Sequence, residues 1–450
     1  MSYNFFCQFL ERFSKKSSIH GVQYIGNNNI SKLERVLWLL ILTAAIFSGY
    51  YFVKSSVDHY FANPTVVTIE KDFRNWENPF PAVTACYVEK VDLEKAQEYI
   101  QKTWGITNTS SDFNHYLDFV KIVSNLTYST LHTLDKFKSN RVLKSTDWLS
   151  LMKYVHPTLN GALVTFQTKS KPNWEFVITE LGLCFTLNSR FTQLLSTEKK
   201  TLKSENLKCH YLNGLCYARY DSNRDMPLFY HVHSPLEVIH TTSESPILLG
   251  RSQEYEINYK LAETYSLGDI RYLSPQQRKC RFEDEPLSDQ LPAYSIGLCF
   301  MECRYKLAMK RCGCRPFFYN FLKGKECNME GLLCLSKISQ MFSQSAEETG
   351  CNCPQPCNLM VYLRQIPKIT EWNNQLYFDQ RITFRWGLMQ PMTKYHRKII
   401  FGFQDLIVSF GGVLSLYLGV SLVSTVETVY LIAEDIYFYW ANKKKLINAE

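Results

Sequence analysis

The chain has 450 residues, 46% of them apolar and 20% charged, so it is neither a disordered nor a low-complexity protein. Its net charge of +8 is slight for that length and gives no ground for a nucleic-acid partner. Fifteen cysteines point away from an ordinary cytosolic enzyme, and a mean hydropathy of −0.20 excludes a many-span transporter while leaving room for one or two spans.

Residues 1–35 read as a cytoplasmic segment carrying Arg12, Lys15, Lys16, Lys32 and Arg35. Residues 36–53 follow without a charge (VLWLLILTAAIFSGYYFV). At ~1.5 Å per residue they reach about 27 Å, close to the ~30 Å hydrocarbon core, and Tyr50-Tyr51-Phe52 suits an interface. The run begins too far in for a signal peptide and continues past Ala44-Ala45, so it is predicted to be the first transmembrane helix.

Residues 54–398 hold fourteen of the cysteines, Cys7 being the exception. An even number on an oxidising, extracellular side predicts seven disulfides. Asn108 (N-T-S) and Asn125 (N-L-T) fit the glycosylation pattern there; Asn29 fits it too but lies in the cytoplasmic segment. A zinc site needs paired CxxC or Cys/His knuckles, and the spacings here are CxC, so no metal or cofactor is expected.

Tyr294 to Cys312 reads as a helix with Cys299 and Cys303 one turn, about 6 Å, apart on one face. Cys351 and Cys353, if extended, share a face at about 6.6 Å. The matched spacings predict an antiparallel strand stapled to the helix as Cys299–Cys353 and Cys303–Cys351. Cys312 and Cys314 then need partners in the loop that follows, where Cys327 and Cys334 are the candidates. Such a ladder is stiff and suits a part that transmits motion.

The second apolar run, residues 399–433, carries only Asp405 and Glu427, and its charge-free centre Leu406–Val426 is 21 residues long. It is predicted to be the second transmembrane helix, leaving residues 434–450 as a cytoplasmic tail with Lys443, Lys444 and Lys445. Lys394, Arg397 and Lys398 on the other side blur that orientation; the cysteine partition supports it. Asp405, Ser409, Gly412, Leu416 and Gly419 recur at intervals of 4, 3, 4 and 3 and so share a face. That stripe either lines a pore or packs helices, as small residues do in membranes. Ile407, Leu414, Leu418 and Leu422 oppose it and suit lipid. Glu427, an intramembrane carboxylate, either faces a cavity as a cation attractor or pairs with a basic residue.

The order of motifs resembles the degenerin/epithelial sodium channel family, most of all its insect pickpocket branch. They are His20-Gly21; Phe80 to Cys86 (FPAVTAC); Gly182 to Asn188 (GLCFTLN); the cysteine block Cys299–Cys357; and Phe410-Gly411-Gly412 with Gly419-Val420-Ser421. The resemblance implies a membrane protein of α+β class: two transmembrane helices flanking a large disulfide-rich extracellular domain with a β-sheet core and peripheral helices. It implies a homo- or heterotrimer of related subunits in the plasma membrane, permeant to sodium and blocked by amiloride. It also implies the pairs Cys86–Cys184, Cys280–Cys357, Cys299–Cys353, Cys303–Cys351, Cys312–Cys334 and Cys314–Cys327. Cys209 and Cys216 remain and are paired locally.

By the same resemblance Gly419, Val420 and Ser421 form the selectivity filter, where non-helical backbone can line an aqueous path. His20 and Gly21 act in gating, and Ser415 falls at the blocker site. Val408 stands where the resemblance implies a small residue, and bulk there holds relatives open, so either a raised resting open probability is expected or a subunit whose neighbours in a heterotrimer are smaller at this position. Ser409 replaces an acidic residue of the acid-sensing members.

Four other classes compete. A membrane-tethered ectoenzyme lacks any HExxH, GxSxG or Walker-type motif. A purinergic two-span channel would carry a different cysteine set. A disulfide-rich receptor or a non-conducting regulatory subunit would keep this topology without current of its own. The extracellular stimulus is not legible in any motif.

Overall fold

Two sheets and a helical layer build the larger part of the molecule. The computed structural model describes residues 12–26, 30–166, 172–191, 207–222, 226–291, 293–344, 346–372 and 381–447; Cys7 and Asn29 lie outside them. The chain divides into two units, one of Met1–Val66, Gly268–Arg278 and Arg397–Glu450, the other of Val67–Leu267 and Lys279–His396.

The larger sheet has eight strands. Its order is Thr65–Glu70, Lys394–Ile399, Gln253–Ser266, Ile382–Met389, Cys216–Ser222, Gly161–Thr165, with Leu359–Arg364 and Lys368–Glu371 both added to Gln253–Ser266. Gln253–Ser266 and Ile382–Met389 run parallel. The smaller sheet orders Ile247–Leu249, Leu228–His233, Ala82–Tyr87, Gly182–Leu187 and Glu175–Thr179. In Cys216–Ser222 burial alternates residue by residue, as a strand covered on one face requires. Every residue of Ala82–Tyr87 is buried, because this strand is covered on both faces.

Those two faces open onto two cores. Val83, Ala85 and Tyr87 pack with Tyr220, Tyr230, Phe384 and Trp386 between the sheets. Cys86 and Cys184 turn the other way, toward the helices Leu93–Trp104, Phe113–Ser124, Trp148–Val155, Ile296–Cys312 and Met329–Ser336. Each large apolar side chain fully buried in either core contributes about 1.5–3 kcal/mol.

All fourteen cysteines between residues 55 and 398 are paired: Cys86–Cys184, Cys209–Cys216, Cys280–Cys357, Cys299–Cys353, Cys303–Cys351, Cys312–Cys334 and Cys314–Cys327. These are the partners that spacing and resemblance imply, but the expected strand is absent. Residues 351–355 have no regular structure, because Pro354 and Pro356 withhold two backbone donors, so the two disulfides, and not a strand, fix the segment to the helix.

Beneath the smaller sheet, the buried His156 has Nδ1 2.8 Å from Pro157 O and Nε2 3.2 Å from Leu183 O, among the rings of Tyr87, Phe176 and Phe185. Burial, aided by Lys90 and Lys95, pushes its pKa down to about 4. The folded state therefore keeps it neutral, while the unfolded state binds a proton below pH ~6.5. The stabilisation is complete above that pH and is lost as pH falls toward 4, by about 3 kcal/mol for this one group. We expect the melting temperature of the solubilised protein to drop between pH 6.5 and 4, and His156→Asn to make that slope shallower. An unchanged slope in the variant would show that other groups carry it.

The other unit contains the helix Lys32–Ala62, hereafter the long helix, and two half-helices, Phe403–Leu418 and Leu422–Ile447. The long helix starts at Ser31, whose hydroxyl accepts from Glu34 N–H at 3.3 Å, and ends before Asn63-Pro64, where proline disfavours helix in the residue before it. It outruns the expected span 36–53 at both ends. By length and composition it is the one described helix that passes alone as a membrane span. The half-helices pass only if taken together, and they are bent by 71° at residues 419–421, so the run 399–433 is not one straight helix.

Candidate functional site

The bend is written into three residues. Gly419 closes the first half-helix with a left-handed backbone (φ +66°), its N–H donating to Ser415 O at 2.9 Å while Val420 N–H donates to Leu414 O at 3.3 Å. Glycine adopts that conformation without the steric penalty of other residues. Ser421 then opens the second half-helix. Its Oγ accepts from Ser424 N–H at 3.1 Å, and Ser424 Oγ accepts from Ser421 N–H at 3.1 Å. The two serines satisfy each other's terminal donors, as a capping box does. The Ser421 hydroxyl is thus engaged in shaping the backbone.

His20 meets this break. Its N–H donates to Leu418 O at 3.0 Å, and its imidazole lies where a Cβ on residue 419 would have to be. Gly21 follows with φ +84° and starts the short helix Val22–Ile25, whose Tyr24 stacks on Trp38 of the long helix at 4.3 Å. The expected gating pair and the expected filter are therefore one cluster, which no spacing in the sequence reveals. Nearby, Ser18 Oγ donates to Glu427 Oε2 at 2.6 Å and Lys16 Nζ lies 3.6 Å from Glu434 Oε2. Glu427 thus has a hydroxyl partner, where the sequence offered a free cation attractor or an ion pair.

The face stripe of the first half-helix is only partly as expected. Leu406 is buried, and Val413 and Tyr417 pack on Gly49 of the long helix. Ser409 Oγ lies 2.8 Å from Ser56 Oγ, so Ser409 turns toward the long helix and leaves the stripe. Gly419 also leaves it, being past the last helical residue. Asp405 caps the helix start by accepting from Gly402 N–H at 2.8 Å. Gly412 and Leu416 stay exposed, as do Ser415 and Val408, the last at 73%. The signal missed was Gly49 with Ser56, two small residues seven apart, one within the first apolar run and one just past it, a helix-packing mark.

Outside this site, the glycosylation candidates separate. Asn108 is exposed, with its amide 3.3 Å from Gln97 Oε1. Asn125 is half-buried, accepting from Lys90 N–H at 3.3 Å and donating to Lys121 O at 3.0 Å, so the nitrogen that would carry a glycan is already engaged with the backbone. We expect Asn108→Gln to remove the glycosidase-sensitive mobility shift and Asn125→Gln to leave it unchanged; the reverse pattern would refute the assignment.

Among known proteins, the family described as amiloride-sensitive sodium channel matches residues 13–431. Pickpocket protein 19 of Drosophila melanogaster is 23% identical, over 93% of this chain and 89% of its own. The bile acid-sensitive ion channel of Rattus norvegicus is 24% identical, over 95% and 88%. Sodium channel protein Nach of Drosophila ananassae is 22% identical, over 93% and 85%. A solved proton-activated chloride channel covers 90% of this chain at a TM-score of 0.29 and 6% identity, a likeness too slight to carry any argument.

Proposed function

From the chain's membership of the amiloride-sensitive sodium channel family, whose members are ion channels of the membrane and not enzymes, we propose that it is a pore-forming subunit of a trimeric, sodium-selective, amiloride-blocked cation channel. Residues 54–398 lie outside the cell in this reading, both ends lie in the cytoplasm, and residues 36–53 and 399–433 cross the plasma membrane. The observation that carries the reading is the break at Gly419-Val420-Ser421. An interrupted helix at membrane depth is tolerated where it lines water or is buried in protein, and the chain encodes the interruption locally with a left-handed glycine and a paired serine cap.

The filter is Gly419, Val420 and Ser421, Gly412 and Leu416 line the path, and Ser415 contributes to the blocker site. Expression of the chain alone in oocytes under voltage clamp tests this. A resting current carried by sodium, lost on exchange for a large organic cation and blocked by amiloride, is expected. Silence with the protein at the surface would favour a subunit that conducts only in heteromers.

Val408 extends the reading. Its side chain is exposed and β-branched, and the family resemblance implies a small residue at this position. We expect Val408→Ala to lower the resting current severalfold at equal surface density, and an unchanged current would remove Val408 from the gate.

A further inference from the structure

The segment that ends at His20 holds the broken helix at three points, one on the last residue of the first half-helix and two on the second half-helix. His20 N–H reaches Leu418 O at 3.0 Å, Ser18 Oγ reaches Glu427 Oε2 at 2.6 Å, and Lys16 Nζ reaches Glu434 Oε2 at 3.6 Å. Glu427 and Glu434 are seven residues apart, two helical turns, and so lie on one face about 10.5 Å apart along the axis. Lys16 is the last residue of a short helical turn, closed by Ser17 N–H donating to Phe13 O at 2.8 Å, and the irregular residues 17–20 carry Ser18 and His20 from there to the break. The chemistry is matched: a hydroxyl donates to one carboxylate and an ammonium faces the other.

We propose that residues 16–20 are a latch whose keepers are Glu427 and Glu434, and that its closure is what holds the His20 ring over Gly419. Glu427 then acts by retaining the N-terminal segment, with its carboxylate occupied by Ser18, and does not stand as a free cation ring. Ser18 is a positioning residue: it touches neither the break nor a permeant ion, and acts through His20. A negative charge at Ser18 would face the Glu427 carboxylate and open the latch. The inference rests on the channel reading only for its electrical readout.

Two measurements test it. The first needs no current. Ser18→Cys with Glu427→Cys, in a Cys7→Ser background carrying a protease site within residues 192–206, is oxidised in membranes with copper phenanthroline and cut. No native disulfide joins the two fragments, because Cys86–Cys184 lies wholly before the cut and the other six pairs wholly after it. The fragments should stay linked on a non-reducing gel and separate when either new cysteine is absent. Fragments that separate despite both cysteines would overturn the latch.

The second is a cycle of open probability. Ser18→Ala and Glu427→Ala should shift it in the same direction, and the double variant should shift it no further than the larger single one. Ser18→Thr, which keeps the hydroxyl, should restore wild-type gating, and Ser18→Asp should exceed Ser18→Ala. Independent, additive shifts, or a Ser18→Ala channel indistinguishable from wild type, would overturn the proposal. Linked fragments in a chain that carries no current alone would leave the latch standing and remove the homomeric channel; current without linkage would do the opposite.

Discussion

Gly419→Ala is expected to abolish most of the current while leaving the protein at the cell surface. Two costs coincide at this residue. The left-handed backbone alone penalises alanine by about 1–2 kcal/mol. The added methyl must also displace the imidazole of His20, whose own N–H is bonded to Leu418 O. Neither cost touches the two cores of the other unit, so surface biotinylation should match wild type. Adding His20→Ala removes the overlap but not the backbone cost, and should restore part of the current. Wild-type current in Gly419→Ala would mean that the break is not the conducting constriction.

Glu180→Ala is expected to keep the protein from the surface altogether. Glu180 is fully buried and bonded on every side. Arg304 Nη1 lies 2.9 Å from it, Tyr319 donates its hydroxyl at 2.6 Å, and Thr241 donates N–H and hydroxyl at 2.7 and 2.8 Å. Arg304 is completed by Phe342 O and Thr242 Oγ1, and Tyr128 shares a 2.7 Å hydrogen bond with Tyr319. Burial, then the nearby Glu180 charge, raises both tyrosine pKa values well above the ordinary.

Removing one partner strands a buried guanidinium, a loss of about 3–5 kcal/mol from a domain stability of ~5–15 kcal/mol. Arg304→Met should fail in the same way. Glu180→Leu with Arg304→Met should recover surface protein relative to either single change, because no charge is left unpaired. Equal or worse retention in the pair would show that the network's geometry, and not its charge balance, is what folding requires.

Local signals were legible and distant ones were not. The staples of Cys299 and Cys303 follow from an i,i+4 step on a helix, and the break at Gly419 follows from a glycine and two serines, all within a few residues. The long helix outran its apolar run because helices end at caps and not at charges; Ser31 with Glu34, and Asn63 with Pro64, held that information. The strand expected at Cys351 was a misreading of the two prolines beside it. His20 over Gly419, Ser409 on Ser56 and Glu180 on Arg304 join residues 399, 353 and 124 apart, and nothing in composition or period ties such partners together.

The larger sheet joins strands from nearly opposite ends of the chain: Thr68 Oγ1 donates to His396 O across 328 residues. At a synthesis rate of ~5–20 residues per second, the first of these strands waits about 16–66 s for the second to leave the ribosome. Through that interval Thr65–Glu70 offers unpaired backbone to any passing strand, and loop closure over so long a contour is slow. The fold is therefore finished after translation, not during it. The helical layer waits as well, since its early helices pack against Ile296–Cys312 and Met329–Ser336, but the pairing of Thr65–Glu70 with Lys394–Ile399 is later still.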